Sequence, residues 1–241
     1  MPLDALVSSL SLRHREAQAL AAIQIARSEP RLGKVALVSS FGAEAAVLLH
    51  LVAKAEPDMP VLFLDTGKHF TQTLAYQQAL SQDLGLRDLR VISPDANALA
   101  ARDPYGALHT HDARACCALR KADPLRAALK DFDGWITGRK RYQGGIRKGL
   151  ELFEGDEATG KLKINPLAHW SLEDMRDYAQ MHSIPPHPLL EEGFLSVGCA
   201  PCTSRATDSD NPRSGRWAGT NQSECGIHLP ASPSLDESST R

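Results

Sequence analysis

The sequence contains no apolar run that approaches the roughly 20 residues needed to span a bilayer. Its first residues, MPLDALVSSLSLRHREAQAL, lack the basic start and apolar core of a secretory signal peptide. The net charge is only −2, so no overall basic field favours binding to nucleic acid. These absences predict a soluble cytoplasmic protein that binds neither membranes nor nucleic acids.

What is present is typical of one α/β domain: 241 residues, 42% of them hydrophobic and 23% charged. Short apolar runs predict buried strands at 34–40, 61–66, 89–93 and 134–137. Segments of helical composition lie at 12–28, 41–55, 71–85, 117–131 and 171–182. Ser11 is a candidate cap for the first helix, Gly85 is expected to end the third, and Ser171 with Asp174 resembles a capping box. The alternation predicts a single doubly wound, mostly parallel sheet.

Polar segments follow three of the predicted strands. The first is followed by SSFGAE, the second by LDTGKHF and the fourth by GRKRYQGGIRKG. Ligands of such sheets bind beyond the carboxyl ends of the strands, where helix N-termini, hydroxyls and cations suit an anion. Taken singly, these segments are equally typical of turns, helix caps and solvated loops. Their convergence on one edge predicts an anionic, nucleotide-like ligand, although GxxxxGK[ST] and GxGxxG are both absent.

Four of the five cysteines form two groups, the adjacent pair Cys116 and Cys117 and the CxxC pair Cys199 and Cys202. In a reducing compartment such groups indicate metal binding rather than disulfides. Four thiolates fit a 4Fe–4S cluster or a tetrahedral zinc ion. Zinc is usually bound by paired CxxC units, so the adjacent pair favours iron–sulfur. Buried, inert thiols remain the alternative.

Cys225 stands apart, in the polar segment NQSECGIH, with His228 three residues later. An exposed cysteine near cations has the properties of a nucleophile. A structural cysteine beside a surface histidine fits the local sequence equally well.

The chain resembles the assimilatory sulfonucleotide reductases, and within them the adenosine 5'-phosphosulfate (APS) reductases. The matching stretches occur in family order over roughly residues 30 to 230: VSSFGAEA, FLDTGKHF, RACCALRKADPL, WITGRKRYQ, INPL, GCAPCT, GRW and ECGIHL. The combination of CC, CxxC and the terminal ECGIHL is the distinctive element. The resemblance implies an adenine nucleotide alpha hydrolase-like, Rossmann-like fold. One departure is Ala45, where family members commonly carry an acidic residue.

The resemblance also implies roles for individual residues. A 4Fe–4S cluster would be held by Cys116, Cys117, Cys199 and Cys202, and Cys225 would be the nucleophile. The expected substrate-binding residues are Ser39, Ser40, Phe41 and Gly42 in the nucleotide loop; Leu64, Asp65 and Thr66 near adenosine; Gly138 and Arg139 beside the nucleotide; Lys121 between the cluster and the sulfonucleotide; Arg213 and Arg216 at the phosphosulfate; and His228 in the tail.

The implied reaction is thioredoxin-dependent reduction of APS to sulfite and AMP in sulfate assimilation and cysteine biosynthesis. Cys225 would carry an S-sulfocysteine intermediate. No thioredoxin-like segment follows Cys225, so the dithiol is expected in trans. The alternative substrate is 3'-phosphoadenosine 5'-phosphosulfate (PAPS), although PAPS-dependent relatives generally lack the four cluster cysteines.

Two further classes stay open. A tRNA sulfur transferase of related fold would carry an SGGxDS loop, where this chain has SSFGAEA. A zinc or iron–sulfur sensor module would leave Cys225 unexplained. The expected organisation is an α/β domain with the iron–sulfur site at 1–202, a mobile catalytic tail at 203–229 and disorder at 230–241. The oligomeric state is open, and a homo-oligomer is compatible with the sequence.

Overall fold

The computed structural model describes residues 3–30, 32–157, 159–208, 211–217 and 224–228, with the backbone alone for residues 3–11. The helices are α1 (Leu3–Ser28), α2 (Ala45–Ala55), α3 (Thr71–Asp83), α4 (Ala96–Arg102), α5 (Ala113–Cys117), α6 (Asp123–Ala128) and α7 (Leu172–Met181). The strands are β1 (Val35–Ser39), β2 (Val61–Leu64), β3 (Leu89–Ile92), β4 (Gly134–Ile136), β5 (Phe153–Asp156) and β6 (Lys161–Ile164). A π-helical turn, Ala118–Ala122, joins α5 to α6.

The six strands form one sheet in the order β3-β2-β1-β4-β6-β5. All neighbouring pairs are parallel except β5 with β6. The chain leaves β1 to build β2 and β3 on one side and later returns to place β4 on the other. The gap beyond β1 and β4 is therefore the topological switch point, where ligands of such sheets bind.

The central strands are buried on both faces, as their continuous apolar runs predict. Val35 and Leu37 of β1 belong to a core cluster shared with α1, α2, α3 and α7. Ala36 and Val38 belong to a second cluster with α6 and Trp135. This period of two puts apolar layers on both sides of the sheet and confirms the predicted doubly wound architecture.

Several local predictions are confirmed and one is wrong. Gly85, with φ of 64°, follows α3, and Ser171 and Asp174 form a reciprocal capping box at the start of α7. Ser11 caps no helix, because α1 begins at Leu3 and runs through it. The short elements α4, β5 and β6 were not predicted. Among the described residues, no helix combines the length and apolar character required to cross a bilayer.

Candidate active site

The loop after β1 is held by its own side chains and by close packing. The Ser39 hydroxyl accepts a hydrogen bond from the Phe41 amide (3.2 Å) and Ser40 accepts one from the Gly42 amide (3.4 Å). Phe41 has φ of 48° and is buried edge-on against Phe63. A Cβ on Gly42 would lie 2.6 Å from the Val197 carbonyl oxygen, so this loop and the Val197 segment touch at backbone level.

The segment after β2 connects the sheet to the CxxC segment. His69 pairs with Cys199 in an isolated bridge, and the Ala200 amide donates to the Lys68 carbonyl (2.7 Å). The Thr66 hydroxyl lies 3.2 Å from the Cys199 sulfur, and the Asp65 carboxylate accepts from the Gly67 amide (2.9 Å). Within the described residues, Thr66 therefore contacts the cysteines, and Asp65 closes a turn.

The segment after β4 is tied to two other parts of the fold. Arg139 donates hydrogen bonds to Glu154 in β5 (2.5 Å) and to Asn165, the residue that follows β6 (3.1 Å). Lys140 is buried and donates to Glu44 (2.8 Å), the residue that precedes α2. Burial alone raises the pKa of Glu44, but Lys140 and its neighbours outweigh it, so the pKa lies below its usual value.

A cavity of about 180 Å³ opens where these segments meet. Its lining includes most of the predicted nucleotide residues together with the predicted nucleophile: Ser39, Ser40, Gly42, Leu64, Lys121, Gly138, Arg139, Arg213, Arg216, Cys225 and His228. Of the residues predicted to bind substrate, three described ones lie outside the lining: Phe41, Asp65 and Thr66. The fold thus brings together residues from six separate parts of the sequence.

Two arginines contact the ring of Trp217 at one wall of the cavity. The guanidinium carbons of Arg213 and Arg216 lie 5.1 Å and 4.5 Å from the centre of the Trp217 ring. Arg216 occupies space that only a glycine at position 198 leaves free, since a Cβ there would lie 2.4 Å from a guanidinium nitrogen. The buried Nε of Arg216 has no hydrogen-bond partner among the described residues. A buried, unpaired guanidinium donor favours an anion in the cavity.

Positive charge surrounds Cys225, which is partly exposed. Burial alone would lower the pKa of Lys121, but the charges of Cys225, Cys199 and Cys117 outweigh it, and the pKa is raised. Burial, with Arg147, lowers the pKa of Arg213 to about 10. Both groups are cationic at neutral pH, so the cavity suits a thiolate and an anionic ligand side by side.

The segment 224–228 is packed onto the cavity. Arg147 donates two hydrogen bonds to Glu224, from Nε (2.6 Å) and Nη2 (2.7 Å). The His228 ring is stacked on Trp135 with a centroid separation of 5.8 Å and an interplanar angle of 5°. Burial first, then the neighbouring cations, hold the pKa of His228 well below its usual value. Parts of the predicted tail lie outside the described residues, namely 209–210, 218–223 and 229. The same is true of the stretch 230–241.

The two cysteine groups lie at one side of this cavity. All five cysteines lie within the described residues and none is in a disulfide; Cys116, Cys117 and Cys199 are buried. Burial, together with the other three thiols of the two groups, raises the pKa of Cys116 to about 11. Burial also raises the pKa of Cys199, but Lys121 and the Thr66 hydroxyl more than offset this, so its pKa is lowered.

Sequence comparison identifies the family. The family model described as "Phosphoadenosine phosphosulfate reductase domain" matches residues 34–205. A curated Mesorhizobium japonicum protein named adenosine 5'-phosphosulfate reductase is 49% identical over 196 residues, 81% of this chain and 76% of the relative. The chain belongs to the phosphoadenosine phosphosulfate reductase family. A Chelativorans relative with the same name is 44% identical over 239 residues, 97% of this chain and 96% of that one.

Solved structures of this family and beyond share the fold. The phosphoadenylyl-sulfate reductase of Candida auris, solved as a phosphate complex, superposes with a TM-score of 0.65 at 21% identity, covering 80% of this chain and 96% of that one. Candida glabrata FMN adenylyltransferase, bound to FMN and an ATP analogue, gives 0.61 at 16% identity, covering 82% and 67%. These likenesses confirm the predicted adenine nucleotide alpha hydrolase-like fold and show nothing more.

The residues that sequence reasoning missed in this reductase-family chain are the ones that hold the others in place. Arg147 and Glu224 bind the tail, Glu44 anchors Lys140, and Trp135 supports His228. Each lies inside a motif already recognised or next to one, but its partner is 77 or more residues away in the sequence. Single-sequence patterns carry no signal for such pairs.

Proposed function

We propose that this protein reduces adenosine 5'-phosphosulfate to sulfite and AMP, with Cys225 as nucleophile and a thioredoxin-like dithiol as reductant. The observation that carries the proposal is the position of Cys225 in the same cavity as Lys121, Arg213 and Arg216, beyond the carboxyl ends of β1 and β4. The names of the curated relatives support APS as the substrate.

In the first step the Cys225 thiolate donates an electron pair to the sulfur of APS. A bond forms between Sγ and that sulfur, and the bond from sulfur to the bridging oxygen breaks with its electron pair passing to AMP. The developing phosphate charge needs donors that are already in place, and Arg213, Arg216 and Lys121 are partly buried cations of this kind. The enzyme is left as S-sulfocysteine.

In the second step a thiolate of the external dithiol attacks Sγ of Cys225. The bond between Sγ and the sulfonate breaks, sulfite leaves with the electron pair, and a mixed disulfide remains. The second thiol of the donor then releases Cys225 as thiolate. The donor becomes a disulfide and supplies the two electrons, so this step requires segment 224–228 to expose Cys225 to a protein partner.

The nucleotide half of the substrate fits the loops at the switch point. Ser39, Ser40 and Gly42 offer hydroxyls and backbone groups at the start of α2, and Gly138 and Arg139 lie opposite on the segment after β4. Leu64 supplies an apolar contact at the end of β2. We propose these six residues as the adenosine and phosphate contacts. Phe41 does not line the cavity, and we propose that it supports the nucleotide loop by packing on Phe63.

The two cysteine groups fit a 4Fe–4S cluster. The four cysteines come from two segments and lie close enough to interact electrostatically. Lys121 and Arg216 provide positive charge that compensates the charge of their thiolates. Among the described residues, no group of three or more His, Cys, Asp or Glu side chains is arranged to hold a metal ion. A cluster binds each thiolate at a different iron atom, so its ligands stand farther apart than those of one ion. We propose Cys116, Cys117, Cys199 and Cys202 as the ligands; when bound, the cluster would supply local charge beside Lys121.

The test is single-turnover reaction of anaerobically purified protein with APS and separately with PAPS. The protein mass is measured before the addition of thioredoxin, and sulfite after it. We expect a sulfonated adduct on Cys225 with APS and sulfite on reduction. An adduct that persists in Cys225→Ser would contradict the assigned nucleophile. Reaction mainly with PAPS would overturn the substrate, and no adduct from either would overturn the reductase itself.

A further inference from the structure

Arg147 and Glu224 form a deeply buried ion pair between the body of the protein and the segment 224–228. The Arg147 side chain is 8% exposed and the Glu224 side chain 3%, and two parallel hydrogen bonds of 2.6 Å and 2.7 Å join them. This bidentate geometry is available to arginine and not to lysine. Such a pair fixes both distance and orientation of the segment that carries Glu224.

Glu224 is also in contact with the residue that follows it. Its Oε1 accepts a hydrogen bond from the backbone amide of Cys225 (2.7 Å). The Cys225 carbonyl in turn accepts from the His228 amide (3.0 Å), which closes the short helical turn Gly226–His228. The position of the Cys225 backbone therefore follows from the position of the Glu224 carboxylate.

The other side of Arg147 is tied to the nucleotide loop. Its Nη1 donates to the Gln143 side-chain oxygen, and the Gln143 amide nitrogen donates to Glu44 (2.7 Å). Glu44 directly precedes α2, at the end of the loop that contains Ser39 and Ser40. One chain of hydrogen bonds therefore joins the proposed nucleotide loop to the tail through Arg147.

Arg213 lies farther from the same carboxylate, at 3.5 Å from Oε1. The closer, two-point contact of Arg147 offsets more of the Glu224 charge than Arg213 does, so Arg147 is the residue expected to hold this carboxylate in place. A carboxylate next to a nucleophile would otherwise repel both the thiolate and a phosphosulfate.

We propose that Arg147 is a positioning residue for Cys225: it holds Glu224, and thereby the nucleophile, at the cavity and offsets the charge of the Glu224 carboxylate. The proposal rests on the proposed function for the role of Cys225. Nothing in the motif pattern assigns this role to Arg147, which is one of several cations in a loop.

The test compares wild type with Arg147→Met, Glu224→Gln and the double variant, each as anaerobically purified full-length protein. The first readout is the rate at which iodoacetamide alkylates Cys225, measured by peptide mass spectrometry. The second is the single-turnover rate of S-sulfonation at saturating APS, and the third is the affinity for AMP. Arg87→Met is the matched control, because Arg87 forms an exposed pair with Asp58 and neither residue lines the cavity.

We expect Arg147→Met to raise the alkylation rate about tenfold and to lower S-sulfonation by at least as much, because the two hydrogen bonds that hold Glu224, and with it the Cys225 backbone, are lost. AMP affinity should change by less than about threefold, since none of the six proposed adenosine and phosphate contacts is altered. The double variant should have rates within about 1.5-fold of those of Arg147→Met, because the two residues act through the same contact. Effects that multiply in the double variant would show that the two residues act independently.

Equal alkylation rates in wild type and Arg147→Met, or effects that multiply in the double variant, would overturn the proposal. If Arg147→Met does not fold, Glu224→Gln alone decides: it should speed alkylation about threefold at an unchanged melting temperature, and an unchanged rate would overturn the proposal. The alkylation readout needs no sulfonucleotide. A wild type that makes no sulfite therefore contradicts the proposed function, whereas absence of the alkylation contrast contradicts the role of Arg147.

Discussion

Replacing Gly42 by alanine tests whether the loop after β1 depends on backbone contact with the cysteine segment. The new Cβ would lie 2.6 Å from the Val197 carbonyl oxygen, whereas ordinary van der Waals contact begins at 3.4 Å. One of the two segments must therefore retreat by about 0.8 Å, and the obstacle is backbone, which cannot rotate away. Overpacking of this kind costs about 1–3 kcal/mol, so a central value of about 2 kcal/mol lowers Tm by about 4–8 °C in a protein of this size.

The retreat should also be visible in ligand binding, because Gly42 and the two serines line the cavity. We expect Gly42→Ala to weaken AMP binding about tenfold, measured by isothermal titration calorimetry beside thermal unfolding. Gly155→Ala is the matched control, since a Cβ at Gly155 meets no atom within 4 Å. If Gly42→Ala kept both the Tm and the AMP affinity of wild type, close packing of this loop could not be what shapes the site.

Three further predictions concern other buried contacts. In Gly198→Ala the new Cβ should displace the Arg216 guanidinium and weaken binding of inorganic phosphate or AMP about tenfold. Tm should change little, because the obstacle is the end of a side chain. Unchanged affinity would contradict the assigned role of Arg216. Burial lowers the pKa of His187 from 6.5 to about 4, so the unfolded chain binds the extra proton first and stability falls as pH drops from 6.5 towards 4; a pH series of melting temperatures should flatten in this range in His187→Asn. Asp156→Asn should cost about 3–5 kcal/mol, because it leaves the buried Lys163 without its charge partner; urea unfolding would measure it, and a loss under 1 kcal/mol would contradict that reasoning.

The alternation of elements was predictable because the central strands are buried on both faces. KVALVSS and VLFLDT are continuous apolar runs that end in polar residues, and the structure has strands there with polar loops beyond them. The strands β5 and β6 escaped prediction because charged residues interrupt them: Glu154 and Asp156 in β5, and Lys161 and Lys163 in β6. Lys163 is buried through its pair with Asp156, a contact that makes a charged residue behave as an interior one.

The candidate site was predictable to the extent that it consists of strand ends. Ser40, Gly138 and Arg139 follow strands directly, so the parallel sheet alone brings them together. Thr66 follows a strand as well, but its hydroxyl contacts Cys199 because the CxxC segment pairs with the residues after β2. Pairing between segments more than a hundred residues apart depends on the whole fold, and sequence periodicity does not encode it.

The pair of Arg147 and Glu224 shows that the partners of charged residues are equally hard to predict from one sequence. The cations at 139–148 form one basic run in the sequence, and a run of this kind is usually a solvated loop. In the structure each of three has a carboxylate of its own: Arg139 with Glu154, Lys140 with Glu44, and Arg147 with Glu224. The net positive charge that reaches the cavity therefore comes mainly from Lys121, Arg213 and Arg216.

The three tryptophans give the protein three built-in fluorescent reporters with different views of the site. Trp135 stacks on His228, Trp217 contacts the guanidinium groups of Arg213 and Arg216, and Trp170 is buried in the core cluster around α7. Emission from Trp135 should follow the arrival and departure of the tail, and that of Trp217 the binding of an anion. With Trp170 as a constant background, stopped-flow fluorescence can time these two events separately, without any added label.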